Sequence, residues 1–431
     1  MMDRARKMPK ILLMPSLVAN LSYSGYEKLP IPPAPPSYMK LVEHFTHEKE
    51  ANQNPGFYAK NGVNRSPDLQ GCLDKRMASF KKIHGNNIAL ALVDLTDDKM
   101  LAPDFAGYNS TLAMYGASQS KMGALLAAHQ MRYDVEQLGQ KLANVEKMVN
   151  ADAEGANQVA SDQSSTITSA MVAASSLSIE ELIKVAKKSF GTGNLNFKLR
   201  DKFDFSGEGE HIKVAISKQF AKEIDQMMRI SNNYSATVVI KKLGFNYINS
   251  VLWQTGIYDI KRGGGLWVGR SYAGGKYWHR DPVANLSHGT NPVSLAKYLT
   301  LMGQRRLVSE QDSKSIEVFL SNTRFRIKFV KGLMGFGLKV NNYAKGIKDD
   351  TKKATVFRKS GTMNGSHRYS HDATFVERYV CLDTKKSSMC QKKKQIRYVA
   401  VGASQLKATY DMWRLGQAMD RCIRDNNGIS T

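Results

Sequence analysis

Strand-forming runs lie near the two ends of this chain, and helical sequence fills the interval between them. Asn87-Ile-Ala-Leu-Ala-Leu-Val-Asp94 is an apolar run of strand length, and Thr96-Asp-Asp-Lys99 supplies a hairpin turn after it. Three further strand-like runs come late, at Ala354 to Lys359, Ala373 to Cys381 and Ile396 to Gly402. Buried backbone amides need partners, so the early run is expected to pair with the late ones in a single sheet. Helical patterns bracket these strands. Ser66-Pro67-Asp68 reads as a helix start, with Leu69, Cys72, Leu73, Met77 and Phe80 at helical spacing behind it, and Leu406 to Arg424 is an amphipathic close. The fold class expected is α+β, one sheet with flanking terminal helices and a mainly helical lobe inserted between its halves.

The boundaries follow from that pattern. Residues 1–37 read as a signal segment and linker: Arg4, Arg6, Lys7 and Lys10 precede Ile11 to Leu21, and Pro30 to Pro36 is a stiff polyproline spacer. Residues 38–431 read as one domain, with 38–117 and 340–431 forming an α/β lobe and 118–339 a helical lobe. An insertion is placed near 134–230, because Asn157 to Ser178 is rich in Ser, Ala and Thr and nearly devoid of large apolar residues. The expected location is periplasmic or secreted, with the cytoplasm left open.

The net charge of +24 draws polyanions. No nucleic-acid fold motif or aromatic-basic interleaving accompanies it, so no specific nucleic-acid partner is expected; non-specific attraction to anionic envelope polymers suits the charge better. No apolar run reaches transmembrane length. Neither C-x-x-C nor H-E-x-x-H occurs and the nine histidines are scattered, so neither metal nor cofactor is expected. Cys381 and Cys390 bracket a lysine-rich stretch between two strand runs, where a cross-hairpin disulfide fits as well as two separate thiols.

Three short motifs carry the chemistry: Ser118-Gln-Ser-Lys121, Ser231-Asn-Asn233 and Lys359-Ser-Gly-Thr362. A serine hydroxyl needs a nearby base to become a nucleophile. Lys121, one helical turn from Ser118, lies on the same face, and a buried lysine has the lowered pKa that lets it accept a proton. Lys359, Ser360 and Thr362 can meet a substrate carboxylate, and Gly361 allows close backbone approach.

In order and setting these motifs resemble the S-x-x-K, S-D-N and K-[ST]-G signatures of penicillin-interacting serine enzymes. Lys121 to His129, Met227 to Ala236 and Gly289 to Ala296 resemble the nucleophile helix, the second-motif helix and the threonine-rich turn of class A β-lactamases. The resemblance covers about residues 87 to 425. It implies a five-stranded antiparallel sheet flanked by helices, and terminal helices packed together so that Cys72 and Cys422 could bridge. It also implies a proton relay through Ser231, an Asn233 that holds Lys121 and donates to the substrate amide, and an oxyanion hole from the backbone N–H groups of Ser118 and Thr362.

One departure bears on turnover. Class A β-lactamases carry E-P-x-x-N, whose glutamate activates the deacylating water. Here Asp281-Pro-Val-Ala-Asn285 keeps the spacing with a shorter carboxylate, and no glutamate occurs between Ser231 and Ser309. Asp281 is thus the candidate for deacylation, which is expected to be slow, and Asn285 a substrate-binding candidate; the alternative is that Asp281 only caps its turn or pairs with Arg280. The leading expectation is a serine hydrolase that opens β-lactams through an acyl-enzyme. The alternatives are a D-Ala-D-Ala carboxypeptidase or penicillin-binding protein acting on peptidoglycan, and a non-catalytic envelope-polymer-binding protein of the same fold.

Overall fold

The computed structural model describes residues 66–429 apart from 85–86, 101, 160–177, 191–197, 275–278, 322, 324–328, 335–336, 342–344, 346, 364–368, 383–389, 391 and 405–408. The signal and polyproline expectations lie outside the described residues, as does most of the Ser/Ala/Thr-rich stretch. The chain divides into two compact units. Among described residues, one comprises 131–220 and the other 66–130 with 221–429.

The larger unit holds the sheet and all three motifs. Its first helix, α1 (Pro67–His84), opens with proline and Asp68, and turns Leu69, Leu73, Met77 and Phe80 inward. Strands β1 (Ile88–Asp94) and β2 (Asp104–Tyr108) follow, then the long helix α2 (Lys121–Val159), of which residues 121–130 belong to this unit. Helices α3 (Lys218–Arg229), α4 (Asn233–Leu243) and α5 (Pro292–Gly303) occupy the middle of the chain. The short strand β3 (Lys339–Val340) precedes the long strands β4 (Lys353–Met363), β5 (Tyr369–Cys381) and β6 (Lys393–Ser404). Helix α6 (Thr409–Asn426) closes the unit.

The sheet order is β2-β1-β6-β5-β4-β3. Early and late strands pair as expected, with Leu92 opposite Ala400 and Asp94 opposite Tyr398. Five strands are antiparallel. The sixth, β3, adds a parallel contact only at Lys353 and Ala354, and its two residues are too short to leave a sequence pattern. On that side, therefore, no strand of β3 covers Lys359 to Thr362.

One face of the sheet packs against α1 and α6 through Leu90, Leu92, Val376, Leu73, Met419 and Ile423, all nearly fully buried. Each such side chain contributes roughly 1.5–3 kcal/mol. Disulfides join Cys72 to Cys422, linking α1 to α6, and Cys381 to Cys390 across the β5–β6 connection. A buried ion pair also holds α6 to the sheet. Arg378 donates through Nε to Asp420 Oδ1 at 3.0 Å and through Nη2 to Oδ2 at 2.6 Å, and the Tyr398 hydroxyl donates to Oδ1 at 2.8 Å.

The smaller unit builds its own core. A helix at Ile179–Phe190 and an antiparallel pair of strands, Phe203–Ser206 and Lys213–Ile216, bury Leu182, Ala186, Phe203 and Phe220. Arg132 bonds Glu136 at 2.7 Å and the Val214 carbonyl at 3.0 Å.

The Asp420 cluster yields a direct test. Removing one partner strands a charge in a dry site, so Asp420→Ala should cost about 3–5 kcal/mol in urea unfolding, while Arg378→Met with Asp420→Leu should restore most of it. A loss below about 1 kcal/mol, the value of an exposed pair, would contradict this reading.

Candidate active site

Ser118 lies on a single 3-10 turn, Ala117–Ser120, that runs directly into α2. Ala117, just before it, is held at φ +45°, a left-handed conformation that an alanine adopts only under constraint. The constraint is close packing. A Cβ on Gly361 would lie 2.9 Å from the Gly116 carbonyl oxygen and 3.3 Å from Ala117 Cβ, so only glycine lets β4 approach this turn. That approach places the backbone of β4 at Gly361 and Thr362 against the serine turn. Ser118 and Thr362 both remain partly exposed, whereas Lys359, Ser360 and Gly361 are buried.

Lys121, in the first turn of α2, is fully buried. Its Nζ donates to the Ser231 carbonyl oxygen at 2.7 Å, to Ser231 Oγ at 3.2 Å and to Asn233 Oδ1 at 2.8 Å. Lys359 Nζ donates to the same Ser231 Oγ at 2.8 Å. Ser231 thus joins the two lysines, and Asn233, with its oxygen on Lys121, keeps its amide hydrogens for other acceptors.

Ser231 and Asn233 are not within one helix. Met227 to Ala236 is broken: α3 ends at Arg229, Ser231 takes φ +59°, and α4 begins at Asn233. Asn232 caps α4, accepting from the N–H groups of Tyr234 at 2.8 Å and Ser235 at 3.1 Å. The break is what turns both the carbonyl and the hydroxyl of Ser231 toward Lys121.

Burial pushes Lys121 from its ordinary value down to about 7, because the charged ammonium has lost its water. Near neutral pH the amine is therefore available as a proton acceptor, which an exposed lysine would not be.

Asp281 and Asn285 sit together on their loop, but their polar groups are engaged differently from those of the other motif residues. Asp281 is buried, and its Oδ1 accepts from the Tyr258 hydroxyl at 2.6 Å and from the N–H groups of Val283 and Ala284 at 2.9 and 3.3 Å. Its Oδ2 is buried with no hydrogen-bond partner among the described residues, and points where a Cβ on Gly289 would collide with it. Asn285 is exposed and accepts from Arg280 at 3.0 Å. Neither is among the hydrogen-bond partners of Lys121 described above. No group of His, Cys, Asp and Glu among the described residues could hold a metal ion, and no described helix is long and apolar enough to cross a membrane.

Two aromatic residues at this site carry no sequence motif. The Tyr272 ring covers Lys121, with Nζ 4.5 Å from its centroid, and stacks on His288 at 4.4 Å and 13°. Burial, with the charges of Lys121 and Arg270, pushes His288 down to about 3, so this imidazole stays neutral. The adjacent Gly263-Gly-Gly265 and Gly274-Gly275 signal only a loop.

A sequence profile of the Beta-lactamase enzyme family matches residues 171–391. The match spans the second and third motifs; Ser118 and Lys121 precede it. No curated protein matches the chain in sequence. Among solved structures, the chain is similar to a β-lactamase from Sphaerobacter thermophilus DSM 20745 (13% identity, 84% of this chain and 98% of that one, TM-score 0.43). It is similar also to a class A β-lactamase representative from Bacteroides cellulosilyticus DSM 14838 (14%, 84% and 99%, 0.43). A third such structure is PBP-A (13%, 84% and 97%, 0.42).

If Lys121 is the base for Ser118, labelling of Ser118 by a serine-directed sulfonyl fluoride should follow the free-amine fraction. A pKa of about 7 makes that fraction rise roughly tenfold from about pH 6 to about pH 8. A rate that keeps climbing toward pH 10 would place the base elsewhere.

Proposed function

Since the chain belongs to the Beta-lactamase enzyme family, we propose that it is a serine acyl-transfer hydrolase in which Ser118 attacks a β-lactam or a related carboxylate-bearing amide. The observation that carries this reading is the shared hydroxyl of Ser231, within 3.2 Å of Lys121 Nζ and 2.8 Å of Lys359 Nζ. It gives a proton a continuous route from the nucleophile's base to the leaving nitrogen.

In the first half-reaction Ser118 Oγ bonds to the carbonyl carbon as its proton passes to Lys121. Negative charge gathers on the carbonyl oxygen, where the N–H groups of Ser118 and Thr362 are the donors. Such a donor commonly contributes about 3–4 kcal/mol. As the carbon–nitrogen bond breaks, Ser231 hands a proton to the departing nitrogen and recovers one from Lys121. Lys359, Ser360 and Thr362 hold the substrate carboxylate, and the Asn233 amide donates to the substrate's side-chain carbonyl.

A specific observation favours a second reading, a penicillin-binding D-Ala-D-Ala carboxypeptidase with a long-lived acyl-enzyme. One oxygen of Asp281 is committed to its own turn and Asn285 faces Arg280, which supports slow water attack. Two disulfides suit an oxidising compartment, supporting a periplasmic or secreted location, where the +24 charge would draw the protein to anionic envelope polymers.

Intact mass spectrometry after penicillin treatment should show one adduct on the wild type and none on Ser118→Ala. A persistent adduct on that variant would sink the assignment. The lifetime of the wild-type adduct separates the readings: rapid loss marks a β-lactamase, and persistence marks the carboxypeptidase. Lys359→Ala should weaken acylation by carboxylate substrates at least about tenfold more than by their methyl esters, as expected for loss of a charge-assisted bond. Equal losses would assign Lys359 to the proton route alone.

A further inference from the structure

The groups around Lys121 are not all accounted for by the proton route. Tyr272 comes from a loop, yet it is held on three sides. Its ring lies over the amine and against His288, and its hydroxyl donates to the Ala117 carbonyl at 2.6 Å. Its own N–H and that of Ala273 donate to Thr237 Oγ1 at 3.1 and 2.8 Å. Thr237 in turn donates to the Asn233 carbonyl at 3.0 Å. The loop is thus tied to the helix whose first residue also holds Lys121.

We infer that Tyr272 is a positioning residue of this site, its ring excluding water from Lys121 while its hydroxyl fixes the strained Ala117 peptide beside Ser118. The inference rests on Ser118 and Lys121 being nucleophile and base. Two effects of the ring on the amine oppose each other. Its π-face attracts the ammonium by about 0.5–2 kcal/mol, and its bulk removes the water that would otherwise solvate that charge. Burial is what lowers the Lys121 pKa, and dehydration by the ring acts in that direction. Among the described residues, the other charged or titratable groups facing this site are His288, Lys359 across Ser231, and, behind the stack, Tyr115 and Arg270. None is an acid that would hold Lys121 charged. The hydroxyl acts separately. Ala117 at φ +45° is held by its carbonyl's bond to Tyr272 as well as by the packing of Gly361, and a shift of about 1 Å in a nucleophile can cost on the order of 100-fold.

The experiment separates ring from hydroxyl. Lysines carrying 13C at Cε are followed by NMR across pH in the wild type, Tyr272→Phe, Tyr272→Ala and Thr237→Val, with the Lys121 signal assigned by its loss in Lys121→Gln. Tyr272→Phe should leave the Lys121 midpoint in place but slow penicillin acylation by roughly tenfold or more, as the serine turn loosens. Tyr272→Ala should raise the midpoint by at least about one pH unit as water returns. Thr237→Val, which frees the loop but keeps the ring, should raise it less, and supplies the same readout if Tyr272→Ala fails to fold. An unmoved midpoint in both Tyr272→Ala and Thr237→Val would overturn the role of the ring, and wild-type acylation by Tyr272→Phe would overturn that of the hydroxyl. Should the wild type form no adduct at all, the acyl-enzyme reading fails on that result alone, while the lysine titration still judges the ring.

Discussion

Everything at the site hangs on pairing between strands that are distant in the chain. β1 finds its partner β6 some three hundred residues later, with Ile88 opposite Ser404 and Asp94 opposite Tyr398. Closing so long a loop costs entropy, and the structure offsets it at several points along one seam. The apolar face of the sheet is covered by α1 and α6, a disulfide ties those helices together, and Arg378 reaches from β5 to Asp420. Asp94, fully buried at the end of β1, accepts from Thr96, Lys99, Asn426 and Asn427, so both ends of the unit meet at one carboxylate. With the sheet fixed, β4 has a fixed height, and its Lys359 and Gly361 follow.

The second constraint is the dry setting of Lys121. A buried ammonium is unfavourable unless it is well paired, and the acceptors here are a carbonyl, a hydroxyl and an amide oxygen, none of them charged. That choice separates this lysine from Lys99, which sits between the carboxylates of Asp94 and Asp104 and is held above its ordinary value. The same side chain is held charged in one place and brought to about neutrality in the other. Neutral partners and burial make the difference.

The family pattern and the local geometry meet unevenly. Ser231 and Asn233 are drawn to Lys121 because the chain breaks at Ser231, and Gly361 lets the third motif lie against the first. Asp281 keeps the family's spacing to Asn285, but Tyr258 and the turn amides claim one of its oxygens. A motif's spacing fixes which residues share a loop; it does not decide which way a carboxylate faces.

Periodicity and motif order alone determined the α+β class, the pairing of early with late strands, the two terminal helices and the three motifs. These are legible because burial imposes a period on Leu69, Leu73, Met77 and Phe80 and a continuous apolar run on β1, and because proton transfer restricts residue types at fixed spacing. The break at Ser231 was not legible, since it follows from a cap at Asn232 and a left-handed residue that glycine did not mark. Nor was the parallel contact of β3, which is too short to show a period. Tyr272 and His288 were invisible for a further reason: a ring laid over an amine more than a hundred residues away leaves no spacing to read. Only the tertiary structure could place it there, because Lys121's protonation depends on which side chains exclude water from it, and that exclusion is a property of packing.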